Sequence, residues 1–267
     1  GTGNLGQTSN YGHSATYDDQ GNIYTGARCF GQGYPVTVGA FDTSYNGGGT
    51  DISISKLNPD GSALIYATYL GGSDSEYPHS LVVNGNDELY VYGSSLSSNY
   101  PTSTGCFDNT FGGGGFAYDI VLTHLNAAGS AIIGSTYVGG SANDGSNSFT
   151  NNYGDSFRGE VIVDAAGNCY VASCSDGPGF PTTAGAIQTT YGGGAQDGVA
   201  FCINPNMSTM IWSTYLGGSG GEMCFGIKQD GAGGVFVGGS TSTATFPTTP
   251  GAYQTAYQGG GADAFIV

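Results

Sequence analysis

One phrase returns four times along this chain, and it restricts the fold more than any other feature. Tyr34-Pro35-Val36-Thr37-Val38-Gly39-Ala40-Phe41 becomes Tyr100-Pro101-Thr102-Ser103-Thr104-Gly105-Cys106-Phe107. It becomes Phe180-Pro181-Thr182-Thr183-Ala184-Gly185-Ala186-Ile187, and then Phe246-Pro247-Thr248-Thr249-Pro250-Gly251-Ala252-Tyr253. The four prolines are 66, 80 and 66 residues apart. Recurrence at such a period means one supersecondary unit has been copied, so the fold is built by stacking copies.

Each copy reads as two hairpins. The first joins a short run (Ala15 to Tyr17, Leu81 to Val83, Val161 to Val163, Ile227 to Gln229) to a second apolar run through an Asp or Asn turn. The second runs are Ile23-Tyr24-Thr25, Leu89-Tyr90-Val91, Cys169-Tyr170-Val171 and Val235-Phe236-Val237. After the Pro-Thr phrase and a glycine run come Asp51 to Leu57, Asp119 to Leu125 and Asp197 to Ile203. Turns such as Asn58-Pro59-Asp60-Gly61 then lead into Leu64 to Gly72 and its counterparts. Apolar residues at consecutive strand positions imply burial on both faces. Four antiparallel strands per copy, with neighbouring copies covering each face, predict an all-β β-propeller of four-stranded blades.

The copies span roughly 11–72, 77–140, 159–218 and 223–267, with an Asn-, Ser- and Gly-rich insertion over 141–158. The last copy stops inside its third strand, at Asp263 to Val267. The expectation is four repeats, the last incomplete, forming part of a larger propeller; a four-bladed ring with one incomplete blade is the alternative.

Charge narrows the partners. Four basic residues face twenty acidic ones, giving a formal net charge of −16. Nucleic acid and anionic membrane surfaces both need clustered Lys and Arg, so neither is expected. No apolar stretch reaches membrane-spanning length. Six cysteines lack zinc or Cys-x-x-Cys spacing; Cys169 and Cys106 read as small core residues, and a disulfide among Cys174, Cys202 and Cys224 stays open.

Few residues suggest chemistry. Ser53-Ile54-Ser55-Lys56 matches an S-x-x-K acylation motif by letter, but on a strand Ser53 and Lys56 point to opposite faces. His13 and His79 occupy matching places and are candidate metal ligands, although Gly159 and Phe225 replace them in the other copies. His124 is expected in solvent. Asp51, Asp119, Asp197 and Asp263 recur after each glycine run; such Asp residues either cap loop N–H groups or, with backbone oxygens, ligate Ca²⁺. Asp74, Glu76, Asp144, Asp155 and Glu222 read as acidic loop residues without EF-hand spacing. No catalytic residue and no resident cofactor is expected.

These residues together resemble the SBBP repeat, a β-propeller repeat of large secreted bacterial proteins. The resemblance rests on Asp18, Gly21-Asn22 and Tyr24, on the Pro-Thr phrase, on Gly47 to Gly49 with Asp51, on Lys56-Leu57-Asn58-Pro59-Asp60-Gly61-Ser62, and on Tyr69-Leu70-Gly71-Gly72. Copy two departs at Asn84, Glu88 and His124, and copy three at Cys202, Asn206 and Met207. The resemblance implies a secreted or cell-surface location, no fixed catalytic residues, and a non-enzymatic scaffold or adhesion role with a protein or glycan partner. A carbohydrate-binding or polysaccharide-processing module, and a subunit of a surface filament or secretion and gliding assembly, are the alternatives. The insertion and the Pro-Thr loops are the expected recognition segments.

Overall fold

The strand-forming runs and glycine-rich reversals divide the chain as the repeat implies. The computed structural model describes residues 14–148 and 156–267. Those residues form fifteen strands and no helix. The first sheet holds β1 (Ser14–Tyr17), β2 (Ile23–Cys29), β3 (Asp51–Leu57) and β4 (Leu64–Leu70). The second holds β5 (Glu76–Val83), β6 (Leu89–Ser95), β7 (Asp119–Leu125) and β8 (Ile132–Val138). The third holds β9 (Glu160–Val163), β10 (Cys169–Ser175), β11 (Asp197–Ile203) and β12 (Met210–Leu216). The fourth holds β13 (Glu222–Gln229), β14 (Val235–Thr241) and β15 (Asp263–Ile266). Every sheet is antiparallel with its strands in chain order.

β5 and β13 begin well before Leu81 and Ile227, where the sequence pattern starts them. Bulges between Pro78 and Ser80, and between Cys224 and Gly226, break the alternation there. A bulge places two residues against one, so the period-two signal fails across it.

The sheets converge on an axis. The Leu81 N–H donates to Ser14 Oγ (3.2 Å), Val161 N–H to Ser80 Oγ (3.3 Å) and Ile227 N–H to Glu160 Oε2 (2.8 Å). Thus β1 adjoins β5, β5 adjoins β9 and β9 adjoins β13. No comparable packing joins the outer strands β4, β8 and β12 to other sheets, nor β13 to β1, among the described residues. Sheets that touch at their first strands and spread at their last are propeller blades.

Stacked faces supply the core. Tyr24, Ile52, Ile54 and Leu70 of the first blade pack on Leu89, Val91, Val121 and Leu125 of the second. The opposite face of the second blade presents Tyr90, Tyr92, Ile120 and Leu122 to Val171, Val199 and Phe201 of the third. The third meets Ile227, Val237 and Phe265 of the fourth. Each large side chain so buried is worth about 1.5–3 kcal/mol. All seven residues of β6, of β7 and of β11 are buried, because central strands of inner blades are covered on both sides.

The Pro-Thr loops lie along the outer edges. Thr37 N–H donates to Ala67 O and Tyr69 N–H to Asp42 O; Ser103 with Ser135, and Tyr137 with Asp108, repeat the arrangement, as do Thr183 with Ser213 and Tyr215 with Gln188. Each loop therefore covers the exposed edge of its own blade's fourth strand. It also reaches the next blade, through Phe41 N–H to Gly129 O (2.9 Å) and Phe107 N–H to Met207 O (2.7 Å). The backbone of these expected recognition segments is thus engaged in edge covering and blade joining, while Val38 at the tip of the first and Ile187, the counterpart of Phe41 in the third, stand in solvent.

One exchange between copies shows how closely the blades fit. Tyr66 on β4 lies over Gly129 of the second blade, where an added Cβ would meet its ring at 2.4 Å. In the next interface Gly134 replaces the tyrosine, and Met207 replaces the glycine with its side chain fully buried. A Cβ at Gly134 would come within 2.6 Å of the Asn206 carbonyl carbon. Met207 keeps the left-handed φ of +57° that glycine holds at the equivalent turn position, where Gly129 has +63°. Gly134→Tyr should destabilise by about 2–4 kcal/mol through overpacking against backbone. Met207→Gly should cost roughly 2 kcal/mol, the lost burial outweighing the relieved backbone strain. In urea unfolding, the double variant should recover at least about 1 kcal/mol relative to the sum of the two; strict additivity would show the exchange to be accidental.

Candidate functional site

The two ends of the axis differ. One end carries the short β1–β2 and β3–β4 type turns. There Asp18 accepts from the N–H groups of Gln20 and Asn22, from Asn22 Nδ2, from the Tyr24 hydroxyl and from Lys56 Nζ at 3.1 Å. Burial alone would raise the Asp18 pKa, but the bonds from Asn22 and Lys56 outweigh it and hold the value at about 2. In the second blade Glu88 and His124 stand in for that pair, 3.2 Å apart. His124 is accordingly buried, stacked on Tyr90 and bonded through Nδ1 to Pro205 O, not solvated as its sequence position implied. A two-residue exchange across a ladder is invisible when strands are read singly.

The other end holds the loops, and there the recurrent aspartates gather partners. Asp51, Asp119, Asp197 and Asp263 open β3, β7, β11 and β15. Each accepts a backbone N–H from the preceding loop: Asn46 at 2.8 Å, and Gly112, Gly192 and Gln258 at 2.6 Å. Capping is therefore one role of all four. The first three are buried, and each also faces a carboxylate of the following blade.

Those partners are Glu76, Asp144 and Glu222. Each is brought into place by its own N–H, which donates to the residue before the aspartate: Glu76 to Thr50 O, Asp144 to Tyr118 O and Glu222 to Gln196 O. Each also accepts from the second glycine of a Gly-Gly pair, Gly72, Gly140 or Gly218, at 2.7–2.9 Å. The first glycine makes room. A methyl group on Gly71 would lie 2.6 Å from Glu76 Oε2 and 3.0 Å from Asp51 Oδ1; on Gly139 it would lie 2.8 Å from Asp119 Oδ1 and 2.9 Å from Asp144 Oδ2. On Gly217 it would lie 2.4 Å from Asp197 Oδ1.

Burial pushes the carboxyl pKa up to about 6 for Asp51 and about 7 for Glu76, Asp119, Asp144 and Asp197, and raises that of Glu222. Sequence reading placed Glu76, Asp144 and Glu222 in unrelated loops. A signal was present: in every pair the two acids are 25 residues apart, and the second lies four residues beyond a Gly-Gly.

A second feature at this end is a cleft of about 350 Å³ beside the inner strands, lined by His79, Ser80, Phe157, Arg158, Glu160 and Phe225. The bulges in β5 and β13 aim His79 and Phe225 there. Tyr77 stacks on Phe157 with ring centres 3.9 Å apart, and Arg28 lies 4.0 Å over the Tyr77 ring. Arg158 lies over Phe225. His79 bonds Ser94 Oγ at 3.0 Å, and burial pushes its pKa down to about 3, so it stays neutral. His13, its sequence counterpart, and Asp155 lie outside the described residues, as do 149–155 of the insertion. Among the described residues no three His, Cys, Asp or Glu side chains gather as a metal cluster. Ser53 donates to Ala27 O while Lys56 pairs with Asp18, so the S-x-x-K letters form no dyad. All six cysteines are free thiols, and the disulfide left open above is absent.

Residues 211–247 match the family model described as the SBBP β-propeller repeat. The match begins on β12, runs through β13 and β14, and ends at Pro247 of the fourth Pro-Thr phrase. A comparison with curated proteins finds no match.

The raised carboxyl pKa values set a direction for pH dependence. Between the ordinary carboxylate range and about 7 the folded chain holds protons that the unfolded chain releases, so stability falls as pH rises through that window. Neutral His79 opposes this by one group below its ordinary value of about 6.5. In EDTA, the melting temperature should therefore rise as pH is lowered from about 8 to about 5. Asp51→Asn should raise stability near pH 8 and flatten the profile; a melting temperature that falls steadily over this range contradicts the buried pairs.

Proposed function

We propose that this chain is a non-catalytic β-propeller module of a secreted, cell-surface protein, acting as a scaffold for adhesion. Its recognition face is the loop-rich end of the axis, centred on the cleft between Phe157, Arg158 and Phe225. One observation carries this reading. The copies agree closely at their turns, edges and blade faces, yet at the cleft the equivalent positions hold His79, Gly159 and Phe225, and the insertion arrives beside them. Divergence concentrated on loops above a repeated frame is the usual signature of a binding surface. The recurrent polar side chains, by contrast, are engaged in holding turns and edges.

The cleft chemistry fits a protein or glycan partner. Stacked and edge-on aromatic rings with arginine guanidinium groups offer flat apolar contact together with fixed donors. Phe30 and Phe116, 55% and 92% exposed, extend aromatic surface at this end. That surface is the specific support for the carbohydrate-binding alternative, since sugar rings stack on such faces. The acidic excess disfavours polyanionic partners.

Binding of the purified chain to an array of bacterial and host glycans, and to a panel of extracellular matrix proteins, tests the proposal. Phe157→Ala and Arg158→Ala should each weaken the best interaction at least about tenfold, Arg158→Ala with an unchanged melting temperature and Phe157→Ala with the modest drop expected from its lost stacking on Tyr77. An interaction indifferent to both changes, or one abolished only by altering the turns at the opposite end, overturns the assignment.

A further inference from the structure

The three carboxylate pairs between blades present an electrostatic problem that the chain's own residues leave open. Six acidic side chains are buried two by two: Asp51 with Glu76, Asp119 with Asp144, and Asp197 with Glu222. None takes part in an ion pair among the described residues; Lys56, the one buried lysine, pairs with Asp18 at the other end of the axis. Adjacent buried carboxylates repel, and each carries a desolvation cost that neutral hydrogen-bond donors only partly offset.

The hydrogen bonding is lopsided in the two Asp–Glu pairs, and in the Asp119–Asp144 pair both members lack a donor to one oxygen. Glu76 is fully served: Oε1 accepts from the Ser95 and Ser97 hydroxyls and Oε2 from the Gly72 N–H. Glu222 accepts from the Thr241 hydroxyl and the Gly218 N–H. Donors to both oxygens stabilise the ionised form. On the preceding blade of each pair, Asp51, Asp119 and Asp197 are each at most 1% exposed, and each directs one oxygen, Oδ2, to a loop N–H. The other, Oδ1, is buried and has no hydrogen-bond partner, and this is true of all three. Asp144 Oδ1 is a fourth such atom. The partnerless Asp51 Oδ1 and Asp119 Oδ1 are the atoms that face the neighbouring carboxylate across Gly71 and Gly139, and Asp197 Oδ1 lies against Gly217 in the same way.

Buried polar atoms without partners are rare in native structures, and one repeated at the same place in three interfaces asks for a common ligand. That ligand must be an acceptor-seeking cation. It must suit hard oxygen donors: Cys174 lies near Asp144 and Cys224 near Asp197 and Glu222, but burial pushes both thiols well above their ordinary range, so neither supplies a thiolate. We propose that each Asp–Glu or Asp–Asp pair is a site for a hard divalent cation of the calcium type, which joins one blade to the next. The partnerless aspartate Oδ1 and the facing carboxylate donate, and water completes the shell; Ca²⁺ accepts such irregular oxygen sets, whereas Mg²⁺ demands stricter geometry. Two carboxylates per site place the affinity toward the weak end, roughly 10⁻⁴–10⁻³ M, where extracellular calcium modules operate. The glycine of each Leu-Gly-Gly or Val-Gly-Gly run is then required because any side chain there would stand between the two donors. This inference is independent of which partner the cleft takes.

Calcium titration of the EDTA-dialysed chain tests it, by thermal unfolding and by equilibrium dialysis with ⁴⁵Ca²⁺ near neutral pH. About 5 mM CaCl₂ should raise the melting temperature by several degrees, with MgCl₂ at the same concentration doing less. Asp51→Asn should lower the number of bound ions by one. The Asp51→Asn, Asp119→Asn, Asp197→Asn triple variant should melt higher than the parent in EDTA and lose the calcium response. If the triple variant does not fold, the three single variants carry the same test, each with one ion fewer. No calcium-dependent shift in the parent chain, or a shift and stoichiometry that survive these substitutions, overturns the proposal.

Discussion

A four-stranded sheet with apolar side chains on both faces cannot exist alone in water, and this constraint shapes everything else in the molecule. Alternation along β6 sends Leu89 and Val91 to one side and Tyr90 and Tyr92 to the other. Each side needs a neighbour, so sheets must follow one another face to face. What makes the succession radial is the row of bonds between first strands, where Ser14, Ser80 and Glu160 each satisfy a backbone N–H of the next blade. The apolar faces supply the cohesion, and these bonds with the Pro-Thr loops set the angle.

The loop-rich end follows from the same constraint. Chain leaving the fourth strand of one blade passes at once to the next blade, even where the insertion delays the start of β9, which puts the Gly-Gly run against the following sheet. The glycine-rich crossing from second to third strand ends at the same height. Two acidic residues 25 positions apart are thereby brought together at every interface. Their proximity is a product of connectivity. The low pKa of Asp18, which has Lys56 beside it, and the high ones of Asp51 at the other end of the same blade and of Glu76 facing it from the next blade show how position divides the carboxylates into those with a cationic partner and those without.

Much of this was legible in the sequence, for definable reasons. Strands and turns were encoded locally: Asp18 with Gly21-Asn22 forms its turn within five residues, and apolar alternation marks the strands on either side. Features that depend on two copies at once were not. His124 was misplaced because its partner Glu88 lies in the turn before another strand, β6. The bulges at Pro78 and Cys224 hid the true starts of β5 and β13. The carboxylate pairs were missed because each half has an ordinary local explanation, a cap for Asp51 and a loop acid for Glu76, and only stacking reveals that they face one another.

Chains made of near-identical units risk joining the wrong units during folding, since any blade could in principle sit on any other. The traded bulk at Tyr66 over Gly129, and at Met207 over Gly134, argues against such free exchange. A third blade placed directly on the first would set methionine against tyrosine, and a second blade placed on itself would leave a gap where neither supplies a side chain. The traded residues thus act as an address written across these two junctions, fitting the blades in one order and not in another.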